Sequence, residues 1–225
     1  MLPYSSVLST LATGRIRRLV AAVALYVAAG LPHAAAQGPL GTTAEPDSLK
    51  AGAEKAINLC STCHGPRGVS TSPEFPVLAG QQYGYLVAQL QAFRSKTRAE
   101  QIAHDFMWGI AGGLDDRMID AVAHYYAAQP PAPGRPGDPK LIEQGKELFE
   151  KGAPNRGIPS CATCHGDRAQ GMGNFPRLAG QHAKYVRKQL EYIQGLVRNA
   201  PVMHGVVKDL TPVEIEAVAA YVQSL

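Results

Sequence analysis

The chain has 225 residues, enough for one or two globular domains, and 45% of them are hydrophobic and 18% charged, as in soluble globular proteins. The formal net charge is +4, but three of the 22 basic residues lie within residues 1–36, where no acidic residue occurs. The rest of the chain is therefore nearly neutral, which excludes a strongly basic nucleic-acid-binding protein. Four cysteines are too few for a small disulfide-rich domain.

The N-terminal segment, residues 1–36, has the three parts of a secretory signal peptide. Arg15, Arg17 and Arg18 precede an apolar run over residues 19–31, and small residues follow up to Ala36. The apolar run is shorter than the ~20 residues that cross a bilayer, so an uncleaved membrane anchor is the weaker alternative. We expect cleavage after Ala36 and export of the remaining chain to the periplasm.

The rest of the sequence is a tandem repeat of one unit. CSTCHG at 60–65 recurs as CATCHG at 161–166, FPVLAGQ at 75–81 recurs as FPRLAGQ at 175–181, and M-x-G-(x4)-L begins at both 107 and 203. Residues 129–140 contain five prolines, which cannot continue a helix or a central strand. This pattern predicts a first domain over 37–128, an extended proline-rich linker over 129–140 and a second domain over 141–225.

Both domains are predicted to be all-α, because no segment shows sustained period-two alternation. The expected helices run from a cap at Asp47 or Ser48 to Cys60, over Leu141–Lys151, over Tyr83–Phe93, from Asp115, and from a capping box at Thr211 and Glu214. A few short helices bury little apolar surface in a domain of this size. We therefore expect a cofactor at the centre of each domain.

The two C-x-x-C-H motifs predict that cofactor, because this motif attaches c-type haem. The two thiols of each motif add to the vinyl groups of a porphyrin, and the adjacent histidine faces the iron. Two covalent haem c groups are predicted, bound through Cys60, Cys63, Cys161 and Cys164, with His64 and His165 as iron ligands. A four-cysteine zinc site or a redox dithiol are the alternatives, but the motif pairs lie too far apart for a zinc ribbon and no βαβ pattern is present.

A sixth iron ligand should recur in both domains, and Met107 and Met203 do so. Met118 has no equivalent and is expected in the core, and Met172 follows His165 too closely to reach the opposite haem face. His204, directly after Met203, is the one serious competitor.

Other recurring residues suggest roles around the haems. The carbonyls of Pro76 and Pro176 could accept the second N–H of the ligating histidines, although the segment could equally be only a turn. Tyr85, Tyr185, Gln81 and Gln181 could reach haem propionates, but helix packing is an equal explanation. Trp108 is expected to pack locally.

Taken together, these motifs resemble the two-haem cytochrome c4 family over nearly all of residues 47–225. The resemblance implies two class I cytochrome c domains related by a pseudo-twofold axis, with His/Met ligation at each haem. It implies a periplasmic electron carrier, often one that serves a terminal oxidase.

Three functions are compatible with two haems. A dihaem peroxidase needs an open position at one iron. Two filled sixth positions therefore favour an electron-transfer protein and not an enzyme. A cytochrome subunit of a membrane-associated dehydrogenase or oxidase complex is the closer alternative. The expected partners are redox proteins, with no nucleic acid and no small-molecule substrate.

Overall fold

The computed structural model describes residues 45–225, and the predicted signal peptide lies outside this range. The described chain is built from α-helices, short π-helical and 3₁₀ turns and isolated β-bridges, with no strand among these residues. Two tandem helical domains result, as the sequence predicts. None of the described helices combines the length and apolar character that crossing a membrane requires.

The first domain contains five α-helices. Its first helix begins at Pro46, so neither Asp47 nor Ser48 is its N-cap as predicted; Asp47 lies in the first turn instead. The predicted cap at Asp115 is confirmed, because its side chain accepts a 2.8 Å hydrogen bond from the Met118 N–H. The helices are α1 (Pro46–Lys55), α2 (Ser61–His64), α3 (Tyr83–Arg94), α4 (Trp108–Gly112) and α5 (Asp116–Ala127). One π-helical turn (Ala56–Cys60) joins α1 to α2, and a second (Ala103–Met107) precedes α4.

The second domain repeats this arrangement. The predicted capping box of the last helix is confirmed, because Thr211 and Glu214 each bond the backbone N–H of the other. Asp138 caps the first helix of the domain through the N–H groups of Lys140 and Leu141. The helices are α6 (Pro139–Lys151), α7 (Ala162–His165), α8 (Ala183–Gln194), α9 (Pro201–Val207) and α10 (Pro212–Ser224).

Each domain is closed by a contact between its first and last long helices, and glycine makes both contacts possible. A Cβ atom on Gly52 of α1 would lie 2.5 Å from the Cβ of Ala121 in α5. A Cβ on Gly145 of α6 would lie 1.9 Å from the carbonyl oxygen of Ala217 in α10. Any side chain at these positions would force the helices apart.

The proline-rich segment between α5 and α6 contains no helix or strand, and it is held against the protein. Ala132 is 6% exposed and packs with Val77 and Ala79 of the first domain. Arg135 bonds the second domain, through its N–H to the Gln223 carbonyl (2.9 Å) and its guanidinium to the Gly180 carbonyl (3.2 Å). The segment therefore contacts both domains.

The two domains meet through a reciprocal pair of glutamines. The Gln81 side chain accepts from the Arg177 N–H at 2.7 Å and donates to the Arg177 carbonyl at 2.9 Å. Gln181 forms the same two bonds with Val77, both at 2.9 Å. Val77 and Arg177 occupy equivalent positions of the two FPxLAGQ segments, so these contacts follow the pseudo-twofold relation between the domains.

The next residue along each segment also reaches the opposite domain. The Gln82 side chain donates to the Gln170 carbonyl at 3.0 Å, and His182 Nε2 donates to the Ser70 carbonyl at 3.1 Å. His182 is 5% exposed. Burial and the positive charge of Arg135 hold the pKa of His182 below its ordinary value, although the bond to Ser70 raises it.

Candidate haem sites

The predicted haem-binding residues of both domains line one cavity of about 720 Å³. Most of its wall is apolar and comes from the helices and the FPxLAGQ segments of the two domains. All eight predicted ligating and attaching residues lie on this wall, namely Cys60, Cys63, His64, Met107, Cys161, Cys164, His165 and Met203.

The cysteines are partly buried and unlinked. Among the described residues, no disulfide joins any of the four cysteines, and Cys60 lies at the end of the first π-helical turn and Cys161 just before α7. Burial raises the pKa of Cys161 to about 11 and also raises that of Cys60.

Each motif histidine is buried and anchored by the backbone carbonyl that the sequence suggested. His64 Nδ1 lies 2.9 Å from the Pro76 carbonyl oxygen, and His165 Nδ1 lies 2.9 Å from that of Pro176. The prediction for these two carbonyls is confirmed. Burial lowers the pKa of both histidines more than the hydrogen bonds raise it, so both imidazoles are neutral near pH 7.

The bond to the proline carbonyl assigns the imidazole proton to Nδ1 and leaves Nε2 with its lone pair. In the second domain His165 Nε2 is buried and has no hydrogen-bond partner. A neutral imidazole with a buried, unpartnered nitrogen has the chemistry of a metal ligand.

The methionines predicted as ligands and the other described methionines lie in different places. Met107 and Met203 line the cavity, whereas Met118 packs in the core against the helices and Met172 is 47% exposed. His204, the competing ligand, does not line the cavity, and its Nδ1 instead lies 3.0 Å from the Ile193 carbonyl oxygen. The indole N–H of Trp108 donates to the Arg98 carbonyl at 2.8 Å, which is the local packing expected for it.

A polar patch on the cavity wall brings two arginines together at the domain interface. Arg98 donates to Gln89 and Gln189, each at 3.0 Å, and Arg198 donates to the same two side chains at 2.9 and 2.6 Å. Arg198 also donates to the Tyr85 hydroxyl at 2.9 Å. Burial raises the pKa of Tyr85, but the positive charges of Arg198 and Arg98 outweigh this effect and hold the pKa below its ordinary value.

This patch is the part of the site that motif reasoning missed. Arg98 also donates through Nε to Glu100 Oε1 at 2.7 Å, and both residues are buried. Arginines at 98 and 198 recur at the spacing of the FPxLAGQ segments, and that recurrence was the available signal. The glutamines 81 and 181, suggested as propionate contacts, use their amides on the backbone of the opposite domain instead.

The residues on the cavity wall fit two haem groups. Each domain supplies a pair of thiols for the vinyl groups, a neutral imidazole with an anchored Nδ1, a thioether, and an apolar wall for the porphyrin. A thiol pair with an adjacent histidine is the attachment set of haem c.

Comparison with known proteins agrees with this assignment. The family described as "Cytochrome c" matches residues 49–127 and 142–225. A cytochrome c4 of Thiocapsa roseopersicina is 41% identical over 182 residues, which cover 78% of this chain and 92% of that protein. The chain belongs to the cytochrome c4 family.

Two further relatives are informative. The solved structure of Acidithiobacillus ferrooxidans cytochrome c4 has a TM-score of 0.71 and 40% identity, covering 74% of this chain and 98% of that one. A protein of Thiomonas intermedia named "Thiosulfate dehydrogenase electron acceptor" is 33% identical over 79% of this chain and 83% of that protein. As a cytochrome c4 family member with two C-x-x-C-H motifs, the chain binds two haem c groups covalently and is an electron-transfer protein rather than an enzyme.

Proposed function

We propose that His64 and Met107 are the axial ligands of the first haem, and that His165 and Met203 are those of the second. The observation that carries this proposal is that these four side chains line one cavity while the competing His204 and Met118 do not. Bound haem supplies a one-electron iron couple. With both residues of a pair bound, the iron would have no free position for a substrate, which suits an electron carrier.

The side chains around the sites have distinct tasks in this proposal. The carbonyls of Pro76 and Pro176 hold the imidazole rings in one tautomer and orientation and increase their basicity. The thioethers favour ferrous iron and raise the reduction potential. The apolar wall would exclude water from a haem held there.

Single methionine variants of the holoprotein test the ligands. The native ferric protein should show two six-coordinate low-spin haems, and Met107→Ala and Met203→Ala should each convert one haem to a form that binds added ligands. Met118→Ala is the matched control and should leave both spectra unchanged. If His204→Ala rather than Met203→Ala alters the second haem, the ligand of that domain is wrong. A native high-spin iron that turns over peroxide would contradict the carrier function.

We further propose that the protein works in the periplasm as residues 37–225 and donates electrons to a terminal oxidase. In this proposal its two domains cover 37–128 and 141–225, and the linker over 129–140 joins them. The signal-like segment ending at Ala36 and the high potential expected of His/Met ligation support this. Mass spectrometry of the protein from the periplasmic fraction should give a chain starting at Gln37 with two haems. The reduced protein should be reoxidised by oxidase-containing membranes in an oxygen-dependent reaction.

A second candidate function is electron acceptance from a dehydrogenase as one of its partner subunits. The Thiomonas intermedia relative, named as the electron acceptor of thiosulfate dehydrogenase, favours it. Mixing the oxidised protein with thiosulfate dehydrogenase and thiosulfate separates the two candidates. Rapid reduction at nanomolar enzyme, combined with slow reoxidation by membranes, would support the dehydrogenase partner.

A further inference from the structure

A single buried carboxylate distinguishes the first domain from the second. Glu100 is 0% exposed and lies on the cavity wall, where Oε1 accepts two bonds from the Arg98 guanidinium. Its second oxygen, Oε2, is buried and has no hydrogen-bond partner. Burying an ionised group in this way is costly, so the position calls for a functional explanation.

Glu100 is fixed in the first domain by its backbone. Its carbonyl accepts from the N–H groups of Ala103 (2.9 Å) and His104 (3.1 Å), and so begins the helical segment that carries Met107. In the second domain the equivalent carbonyl belongs to Ala200, which accepts from His204 at 2.8 Å and begins the helix that carries Met203. The same backbone hydrogen bond therefore precedes both methionines, but only in the first domain does the residue that accepts it have an acidic side chain.

The arginines do not cancel this difference. Arg98 and Arg198 bond the same two glutamines from opposite domains, so their charges are shared between the two sites. Among the described residues, Arg98 has a carboxylate within 4.0 Å and Arg198 has none. Arg98 and Glu100 together are therefore neutral, whereas the positive charge of Arg198 has no matching carboxylate, so the second-domain side of the patch is the more positive one.

We propose that Glu100 lowers the reduction potential of the first haem relative to the second, so that an electron shared between them resides mainly on the second. This inference rests on the proposed ligands. Reduction adds one negative charge to the iron, and a fixed carboxylate opposes that addition most strongly at the nearer site, because interior charges are poorly screened. Glu100 is thus a residue that sets the direction of electron flow without contacting the iron as a ligand.

A spectroelectrochemical titration of the holoprotein tests this role with Glu100→Gln, which keeps the shape and removes the charge. The lower of the two potentials should rise, and the equilibrium constant for electron distribution between the haems should change about tenfold, which is 59 mV for one electron. In a Met203→Ala background, where the second haem is spectrally distinct, the remaining low-spin haem should show the rise. Asp116→Asn, at an exposed carboxylate of the same domain, is the control and should shift neither potential by more than a small fraction of this.

A variant of the second domain gives an independent test in case Glu100→Gln does not fold. Ala200→Glu places a carboxylate at the equivalent, partly buried position of the second domain, and the higher potential should fall so that the two approach each other. Equal movement of both potentials in Glu100→Gln, or no movement in either variant, would overturn the proposal. Failure of the native protein to show two low-spin haems would instead refute the ligands, so the two failures are distinguishable.

Discussion

The reciprocal glutamines predict how strongly the two domains depend on each other. Replacing Gln81 by leucine retains the approximate volume of the side chain but removes both of its bonds to Arg177. Gln81 is 7% exposed, so water cannot take over these bonds, and the Arg177 N–H and carbonyl are left unpaired at the interface.

The magnitude follows from the two abandoned groups. Each buried backbone group without a partner costs about 1–3 kcal/mol, so the two together cost about 4 kcal/mol. Burial of the added leucine surface offsets about 1 kcal/mol. We therefore expect a loss of about 3 kcal/mol in the free energy of unfolding, and Tm should fall by about 10 °C for a cooperative unit of this size. Gln181→Leu should have a similar effect through Val77.

Thermal unfolding of the holoprotein, followed by circular dichroism and by the haem absorbance, measures this loss. Gln82→Leu is the matched control, because it is the same substitution at the next residue and removes a single exposed bond to Gln170. It should cost less than about 1 kcal/mol. In the Gln81→Leu/Gln181→Leu double variant, the single transition should separate into two, one for each domain. If Gln81→Leu is no less stable than Gln82→Leu, the interface does not depend on these bonds and the reasoning is refuted.

Three further predictions concern helix packing, pH and the attachment of the first haem. Gly145→Ala should lower the free energy of unfolding by about 2 kcal/mol, because a clash of about 3 kcal/mol exceeds a gain in helix propensity of about 1 kcal/mol. Gly205→Ala is the control: the space around its Cβ is open, so this variant should raise Tm slightly. The lowered pKa of His182 means that the unfolded chain binds the proton more tightly, so stability should decrease as the pH falls below about 6.5. Urea titrations at pH 5 and 7 give the loss of unfolding free energy, which should be smaller in His182→Gln than in the native protein; an equal loss in the two would contradict the assignment. The double variant Cys60→Ala/Cys63→Ala should lose one haem by mass spectrometry and retain the second domain; loss of both haems would show that the second domain needs the first.

The sequence was sufficient for most features that depend on local residues, although the first helix begins at Pro46 and not after a cap at Asp47 or Ser48. Helix periodicity, the caps at Asp115 and Thr211 and the doubled motif predicted the domains, and the spacing from each histidine to its proline predicted the bonds at Pro76 and Pro176. These interactions lie within one domain and within a short stretch of chain. Local propensity and spacing therefore determine them.

The interface could not be predicted in the same way. A glutamine that recurs in two repeats has the same pattern whether its amide binds a haem propionate or the backbone of the other domain. The difference is set by how the domains dock, which depends on many weak contacts between residues about a hundred positions apart. For the same reason the sequence does not predict the bonds that cross the interface from Arg98 to Gln189 and from Arg198 to Gln89.

The equivalent contacts across the pseudo-twofold axis show which of them depend on residue type. Residues 81 and 181 are both glutamine, and the partners of both are backbone groups whose positions the fold fixes; a side-chain amide has its donor and its acceptor on separate atoms, as the N–H and carbonyl of one residue require. Some contacts between side chains differ: Lys184 forms an ion pair with Glu74, whereas at the equivalent place Gly84 lies against the side chain of Asn174. Partners that are both side chains can change together without moving the backbone. The symmetric contacts therefore fix how the domains dock, and the asymmetric ones, including Glu100, are free to give the two haems different surroundings.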